Sequence, residues 1–296
     1  MARLIDEIIE FLEKKGIACS RQRRADSEVI SASAICSGDE RIIIPLKISA
    51  TSMAEASEKG DALQECIRII RKSDNVYPLI ITEDRWRIQQ EMMQARLLAH
   101  LEIFEQAYAR NCEVRRIEKS EAEAFLNENH SYGYAACKYR YGLFLKRHTG
   151  HIAAELSVNG LADCRRGKLI AVATFSNARK WIKNGMEIKS YEWTRYASLP
   201  EIRVSGGMGK LLKSFIKDIQ PDDIMSYADL EWSEGSVYSQ LGFTLEGEKA
   251  PVMFEVDDLW HRRPYEKQHE SQERKTIAYF RNFGSNKYRF KITQYE

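Results

Sequence analysis

The sequence predicts an α/β (α+β) protein with more than one domain. The chain has 296 residues, enough for one large domain or two ordinary ones. Segments with helical periodicity alternate with β-rich segments, and a glycine-rich turn separates a predicted strand from a predicted helix. We therefore expect domains over residues 1–110 and 111–260, followed by an extension over 261–296.

The composition is that of a globular protein, with 44% hydrophobic and 30% charged residues. We find no run of about 18 apolar residues, so we expect no membrane-spanning helix. Acidic residues interrupt the apolar pattern at the N-terminus, which argues against a secretory signal. The six cysteines form no C-x-x-C pair, so we expect no zinc ribbon, reduced thiols and a cytoplasmic location.

Residues 1–110 read as a small layered domain with the order α-β-β-α-β-α. Apolar residues at helical spacing begin the chain, and the two β-rich runs "SEVISASAIC" and "ERIIIPLKISA" follow. A helix over residues 53–73 and the short strand "VYPLIIT" come next. The run "EDRWRIQQEMMQARLLAHLEIFEQAYAR" then predicts one long helix, which would connect the two domains.

Residues from Cys112 onward predict the order β-α-β-β-β-α-β-α-β. "YRYGLFLK" and "GKLIAVATFSN" read as one hairpin, and "FTLEGE" with "APVMFEV" as a final hairpin. The turn "RVSGGMGKL" at 203–211 lies between the fourth strand and its helix. Exposed N–H groups at such a helix start bind anions, and its spacing matches neither a Walker A motif nor G-x-G-x-x-G. Spacing alone leaves a structural turn and a phosphate cradle equally open.

This order of elements, with its glycine turn and the later string "SVYSQLGF", resembles the GNAT N-acyltransferase fold and its mixed, mostly antiparallel sheet. The pyrophosphate loop of that family reads R/Q-x-x-G-x-G/A. Arg203 and Gly206 fill this pattern, whereas Met208 replaces the small residue, and Gly207 and Gly209 fit a loop one residue longer. The resemblance implies acetyl-CoA or another acyl donor, with its phosphates held by Arg203, Gly206, Gly207, Gly209 and Lys210.

The family's later motif, Y-x-x-x-G-F, matches Tyr238, Gly242 and Phe243. The resemblance implies that Tyr238 is the general acid for the thiolate leaving group. The alternative is that Tyr238 and Phe243 are aromatic residues of the core, an interpretation that is stronger for Phe243.

A narrower resemblance rests on "YPLIITEDRW", "FLNENHSYGY", "SYEWTRYAS" and "SYADLEWSEGSVYSQLGF". Together these strings resemble the Hef-like homing endonucleases of phages, which join a nuclease domain to a GNAT-like domain. Parts of them are also similar to the phage Mom family, which modifies adenine in DNA. The resemblance implies a restriction-endonuclease-like fold for residues 1–110. Ser31 and Ser33 stand where an acid is expected, and Lys47 remains alone, so we expect a degenerate nuclease with no metal site.

Two further residues are candidates for proton transfer. His130 ends a predicted helix, where it is either a general base or a partner of the helix dipole. Asp229 ends a predicted strand, a position at which α/β sites gather. The extension carries nine Lys or Arg against four Glu, interleaved with aromatic residues, which is typical of nucleic-acid contact or of an amphipathic closing strand.

These features favour a GNAT-like acyltransferase that acts on nucleic acid, with an amine of a DNA base as acceptor. One alternative is a DNA-binding protein derived from a phage homing endonuclease, with little or no catalysis. The other is a small-amine N-acetyltransferase.

Overall fold

The computed structural model describes residues 3–24, 27–74, 77–146, 167–265 and 275–293. The chain forms two compact units, and each is built from three segments. The first unit contains Met1–Ile103, Asp229–Glu234 and Glu248–Ser285, and the second contains Phe104–Ala228, Gly235–Gly247 and Asn286–Glu296. The boundaries predicted at residues 110 and 260 differ from this division, because the chain passes between the units several times.

The N-terminal part of the first unit contains four helices and four strands. In chain order these are α1 (Leu4–Lys14), β1 (Cys19–Arg24), β2 (Ser27–Ser33), β3 (Glu40–Leu46), α2 (Met53–Asp74), β4 (Leu79–Thr82), α3 (Glu83–Ile88) and α4 (Gln90–His100). The strands form one sheet in the order β1-β2-β3-β4, in which β3 and β4 are parallel. Strand β1 was missing from the sequence prediction. The restriction-endonuclease-like assignment of this region stays a prediction.

The single long helix predicted over residues 83–110 is wrong. Gln89 has φ −130° and separates α3 from α4. Glu102 has φ 64°, and the Ile103 N–H bonds back to the Leu98 carbonyl at 2.9 Å. This C-terminal cap ends the helix, so the residues that follow are available for a strand.

The second unit is built around an eight-stranded mixed sheet. Its elements begin with β5 (Glu105–Tyr108), β6 (Cys112–Arg116), α5 (Lys119–Asn129), β7 (Tyr139–Leu145), β8 (Leu169–Phe175), β9 (Arg179–Lys183) and β10 (Met186–Ser198). They continue with β11 (Ile202–Ser205), α6 (Gly207–Ile219), β12 (Asp223–Asp229), α7 (Ser236–Gln240) and β13 (Thr244–Lys249). The α/β class, the mixed sheet and the β7–β8 hairpin are confirmed.

The last strands are divided between the two units. They are β14 (Met253–Asp257), β15 (Arg262–Pro264), β16 (Thr276–Arg281) and β17 (Ser285–Lys291). The order of the large sheet is β13-β17-β12-β10-β8-β7-β6, with β9 on β10, and β15-β14-β16 form a separate sheet. The predicted β13–β14 hairpin is therefore wrong, because the two strands belong to different sheets.

The described part of the predicted extension over 261–296 contains the strands β15, β16 and β17 and the short segments that flank them. Phe280, Phe283 and Tyr288 are buried, as expected for amphipathic closing strands. Parts of the extension, at 266–274 and 294–296, lie outside the described residues.

Helices α5 and α6 cover opposite faces of the large sheet. Ala171 and Ala173 of β8 belong to the core under α6, whereas Val172 belongs to the core under α5. This alternation is the period-two pattern of a strand buried on both faces.

Within the described ranges, no helix is long and apolar enough to span a membrane. The same part of the chain holds no group of three His, Cys, Asp or Glu residues that could bind a metal ion.

Candidate active site

The central feature of the second unit is the point where β10 and β12 separate. The two strands pair in parallel from Ser190–Asp223 to Glu192–Met225. Past this point the register of β10 on β8 shifts between Trp193 and Arg195, while β12 runs on to Asp229. Two parallel strands that separate in mid-sheet leave an opening lined by backbone polar groups, and such groups need partners.

Helix α6 begins after a short strand that follows β10. Gly206 is its N-cap, with φ 75°, a left-handed conformation that favours glycine. The first N–H groups of any α-helix have no intrahelical acceptor and carry the positive end of its dipole. The turn therefore has the geometry of an anion site.

The other two glycines of the turn lie close to neighbouring side chains. A Cβ on Gly207 would lie 2.9 Å from Val204 Cγ1, and one on Gly209 would lie 3.1 Å from Leu241 Cδ2. The close approach of Val204 and Leu241 therefore favours glycine at these two positions.

Met208 does not project into the turn, since it packs against the hydrophobic core under α6. Core packing therefore accounts for the residue that departs from the sequence pattern. Arg203 is exposed, and its guanidinium lies 5.3 Å from the centre of the Phe104 ring. Arg203 belongs to β11 and lies four residues before Gly207, the first residue of α6.

Lys210 has a different position from the one a phosphate ligand needs. Its Nζ donates to the Ala109 carbonyl at 2.7 Å and to the Cys112 carbonyl at 2.6 Å. These two bonds tie the first turn of α6 to the chain between β5 and β6. The geometry makes Lys210 an anchor of the helix.

Tyr238 lies beside the strand opening in a chain of hydrogen bonds. Ser226 Oγ is 3.0 Å from the Trp193 carbonyl and 2.9 Å from Tyr238 Oη. A serine hydroxyl has one proton and a carbonyl can only accept. Ser226 therefore donates to Trp193, and the Tyr238 phenol donates to Ser226.

The surroundings of Tyr238 keep its phenol protonated. Its ring stacks on Tyr288 and meets Trp193 edge to face. Burial is the main cause that raises the pKa of Tyr238 above its usual value near 10. A phenol that stays protonated at neutral pH is suited to donate a proton.

The rest of the Y-x-x-x-G-F motif is structural. Gly242 has φ 89°, and the Phe243 N–H bonds to the Tyr238 carbonyl at 3.0 Å, which ends α7. Phe243 is buried in the core. The motif thus holds Tyr238 at a fixed position relative to the sheet.

His130 lies at the C-terminal end of α5. Its Nδ1 accepts a hydrogen bond from the Tyr132 N–H at 3.1 Å, which favours the tautomer with the proton on Nε2. Arg195 Nε donates to the Gly133 carbonyl at 3.1 Å, so this loop is tied to β10 just past the opening. In this geometry the imidazole offers an Nε2–H donor, because its Nδ1 lone pair is engaged.

The structure does not bring His130 and Tyr238 onto one face of the sheet. Tyr238 packs with the core under α6, and His130 follows α5, which covers the other face. The strand opening lies between these two faces.

Asp229 stands where β12 ends and the chain enters the first unit. Its Oδ1 accepts from the Glu231 N–H at 2.9 Å, and its carbonyl accepts from Trp232 and Ser233 at 2.8 Å each. The carboxylate and the carbonyl of Asp229 therefore stabilise the turn formed by the residues that follow β12.

On β2, Ser31 and Ser33 occupy the positions at which the resemblance to a nuclease predicts an acid. Ser31 Oγ donates to Glu40 Oε1 at 2.5 Å, and Glu40 also pairs with Arg24. These contacts are ordinary cross-strand hydrogen bonds and ion pairs.

Sequence reasoning missed Ser226 and the β9–β10 hairpin. Ser226 is recognisable only from its contact with a residue twelve positions away. The hairpin could have been found, because Asn184-Gly185 is the strongest short-range signal for a tight β-turn.

No protein-family model matches the sequence, and no curated protein is significantly similar to it. The solved structures similar to it include Eis1 from Mycobacterium abscessus, at 15% identity over 53% of this chain and 37% of that chain, with a TM-score of 0.33. A probable N-acyltransferase from Enterococcus faecalis is 14% identical over 49% of this chain and 35% of that chain, with a TM-score of 0.33. This chain therefore spans about a third of the length of those two proteins.

A ribosomal-protein-S5-alanine acetyltransferase from Vibrio fischeri is 12% identical over 63% of this chain and 96% of that chain, with a TM-score of 0.34. Similarities of this size establish neither a common fold nor a common activity.

Proposed function

We propose that the second unit is an N-acyltransferase of the GNAT type, which transfers an acyl group from a coenzyme A thioester to an amine. The observation that carries the proposal is the separation of β10 from β12 past Glu192 and Met225, with Tyr238 beside it. An acyl thioester in this opening would supply the activated acyl group. The order of elements that resembles the GNAT fold supports the same assignment.

The donor's phosphates fit the start of α6. The N–H groups after Gly206 offer hydrogen bonds to an anion, and the helix dipole favours negative charge there. Met208 packs into the core, so it does not fill this space. Arg203 is the exposed cation that would pair with a phosphate, while Lys210 holds the helix in place.

Tyr238 is the residue that protonates the leaving group. Amide formation creates a C–N bond, breaks the C–S bond and leaves a thiolate that must take up a proton. Tyr238 holds that proton at Oη, and its phenolate can then recover a proton from the nitrogen of the former amine. The net change is one proton moved from amine to thiol, and Ser226 holds the phenol in position meanwhile.

For the acceptor we infer an amine of a DNA base. The strings similar to the Hef-like homing endonucleases and the Mom family support this choice, as does the basic surface described below. A small-amine acceptor and a DNA-binding protein without catalysis are the alternatives that the tests must separate.

Two substitutions at Gly206 test the donor site with matched shapes. Asn and Asp both tolerate the left-handed conformation better than other side chains do, so Gly206→Asn and Gly206→Asp differ in charge alone. We expect the aspartate variant to bind acetyl-CoA about tenfold more weakly than the asparagine variant, since one carboxylate opposes the donor's phosphates. Calorimetry measures both affinities, and equal values would exclude phosphate binding at this helix start.

The acceptor is tested with radiolabelled acetyl-CoA. We expect label to transfer to DNA, and mass analysis of the nucleosides to show an acylated base. Transfer to spermidine alone would establish the small-amine alternative. DNA binding with no thioester cleavage would leave only the binding protein.

A further inference from the structure

The β9–β10 hairpin is an arm that extends from the large sheet. β9 pairs with β10 alone, in register from Met186–Lys183 to Ser190–Arg179. Asn184 and Gly185 turn the chain with φ 52° and 77°, as in a type I′ turn. Five paired residues give a two-stranded ribbon about 17 Å long.

One face of this ribbon is basic. Lys180 and Lys189 lie directly opposite each other, and like charges in that position destabilise a hairpin. Both lysines are exposed. Glu187 pairs with Lys180 at 3.1 Å, and the Asp222 carboxylate accepts from the backbone N–H of Lys189 at 2.8 Å. Two adjacent ammonium groups remain directly opposite each other, an arrangement that a polyanion would relieve.

The same face carries an exposed apolar residue. Successive residues of a strand point to opposite sides, so Ile182 projects on the face of Lys180. Ile182 is 76% exposed, the largest exposed fraction among the large hydrophobic residues within the described ranges. Met186, next to the turn, is 43% exposed and, since it is paired with Lys183, lies on the opposite face.

We propose that the β9–β10 hairpin binds the major groove of duplex DNA, with Lys180 and Lys189 on phosphates and Ile182 against base edges. The charge of the arm is complementary to DNA: residues 177–190 contain four Lys or Arg and one Glu. A two-stranded ribbon fits the major groove of B-form DNA, where apolar side chains contact thymine methyl groups. The major groove of A-form RNA is too narrow for it.

This inference deepens the proposed function, because it assigns a surface to the DNA acceptor. It is tested by binding alone, with no acyl donor present. If the protein binds DNA through the arm but transfers no acyl group, the proposed acyl transfer is wrong, whereas the inference that the arm binds DNA still holds.

The experiment measures binding of a short fluorescein-labelled DNA duplex by anisotropy over a series of salt concentrations. For the variant Lys180→Gln/Lys189→Gln we expect weaker binding and a salt slope, log K against log [salt], that is smaller by about 2, since each phosphate contact contributes about 0.9. For Ile182→Ser we expect about tenfold weaker binding with an unchanged slope, because the lost contact is apolar. An RNA duplex of the same sequence should bind at least tenfold more weakly than the DNA.

The matched control is Lys213→Gln/Lys217→Gln, which removes two exposed lysines from α6. We expect it to bind DNA like the unmodified protein. The inference is overturned if the hairpin variant keeps its affinity and slope, if both double variants lose affinity equally, or if RNA binds as well as DNA. Thermal unfolding of each variant confirms that the fold is retained.

Discussion

At the scale of single residues, the interpretation of Tyr238 changes most between the sequence and the structure. The motif suggested either a catalytic acid or a core aromatic, and the structure shows a ring packed against the core whose hydroxyl is hydrogen-bonded. Its ring packs on Tyr288, and its hydroxyl lies 2.9 Å from Ser226 beside the strand opening. The packing explains the hydroxyl's chemistry, because burial raises the pKa of the phenol and keeps its proton in place.

Replacing Tyr238 by Phe removes the proton and keeps the ring. We expect kcat to fall by about 10²- to 10⁴-fold with little change in KM for the donor, because the proton is needed only as the thiolate leaves. The loss should be smaller with thioesters of more acidic thiols, which leave without protonation. Steady-state assays of thiol release measure kcat and KM for each thioester.

The pH dependence gives a second readout for Tyr238. Since its pKa is raised, the phenol stays protonated, and active as an acid, through neutral pH, and activity should decline only above about pH 10. If Tyr238→Phe loses the same activity with every thioester, Tyr238 is not the acid that protonates the thiolate. The control for that variant is Ser226→Ala, which retains the phenol and should lose less activity.

At the scale of elements, the sequence predicted the helix after the glycine turn, the strand after it and the short helix that carries Tyr238. Glycines lie at the ends of these helices. Gly206, Gly235 and Gly242 each have a positive φ, which is the backbone conformation that glycine adopts most easily. The sequence did not predict β9, β11 or the break at Gln89. Strand β11 is short and pairs with β5, which lies far away in the chain, so local periodicity carries little information about it.

The role of Lys210 is also decided at this scale. Its ammonium ties α6 to two carbonyls, and hydrogen bonds from a charged group contribute about 1.5–3 kcal/mol. For Lys210→Met we therefore expect a lower free energy of unfolding by about that amount, measured by denaturant titration. Affinity for acetyl-CoA should change less than twofold. A large loss of affinity with unchanged stability would instead make Lys210 a phosphate ligand.

At the scale of the whole molecule, a buried ionic cluster joins three distant parts of the sequence within the first unit. Arg262 of β15 bonds to Asp84 of α3 and to Glu231, and Arg85 bonds to the same Glu231. All four side chains are almost fully buried. The sequence showed Arg262 only as part of a basic extension, and the contact with Asp84 spans 178 positions. Such a pairing is set by tertiary structure and has no local signature.

The cluster also makes stability depend on pH. Burial alone would raise the pKa of Glu231, but Arg262 and Arg85 outweigh it and hold that pKa well below its ordinary value near 4.5. A lowered pKa in the folded state contributes stability above the unfolded value, and this contribution is lost as the pH falls. The first unit should therefore lose stability progressively below about pH 4.5.

The cluster predicts a specific pattern in a double-mutant cycle. Arg262→Met alone leaves a buried excess of negative charge and should cost about 3–5 kcal/mol in unfolding free energy. Adding Asp84→Leu removes the unpaired carboxylate and keeps the Arg85–Glu231 pair, so we expect most of that loss to be recovered. Lys14→Met, which breaks an exposed pair with Glu10, is the control and should cost less than about 1 kcal/mol. Denaturant unfolding followed by tryptophan fluorescence measures the unmodified protein, the two single variants, the double variant and the Lys14→Met control. If the double variant is as unstable as the sum of its single variants, the side chains act independently, and the cluster does not hold the three segments together as a unit.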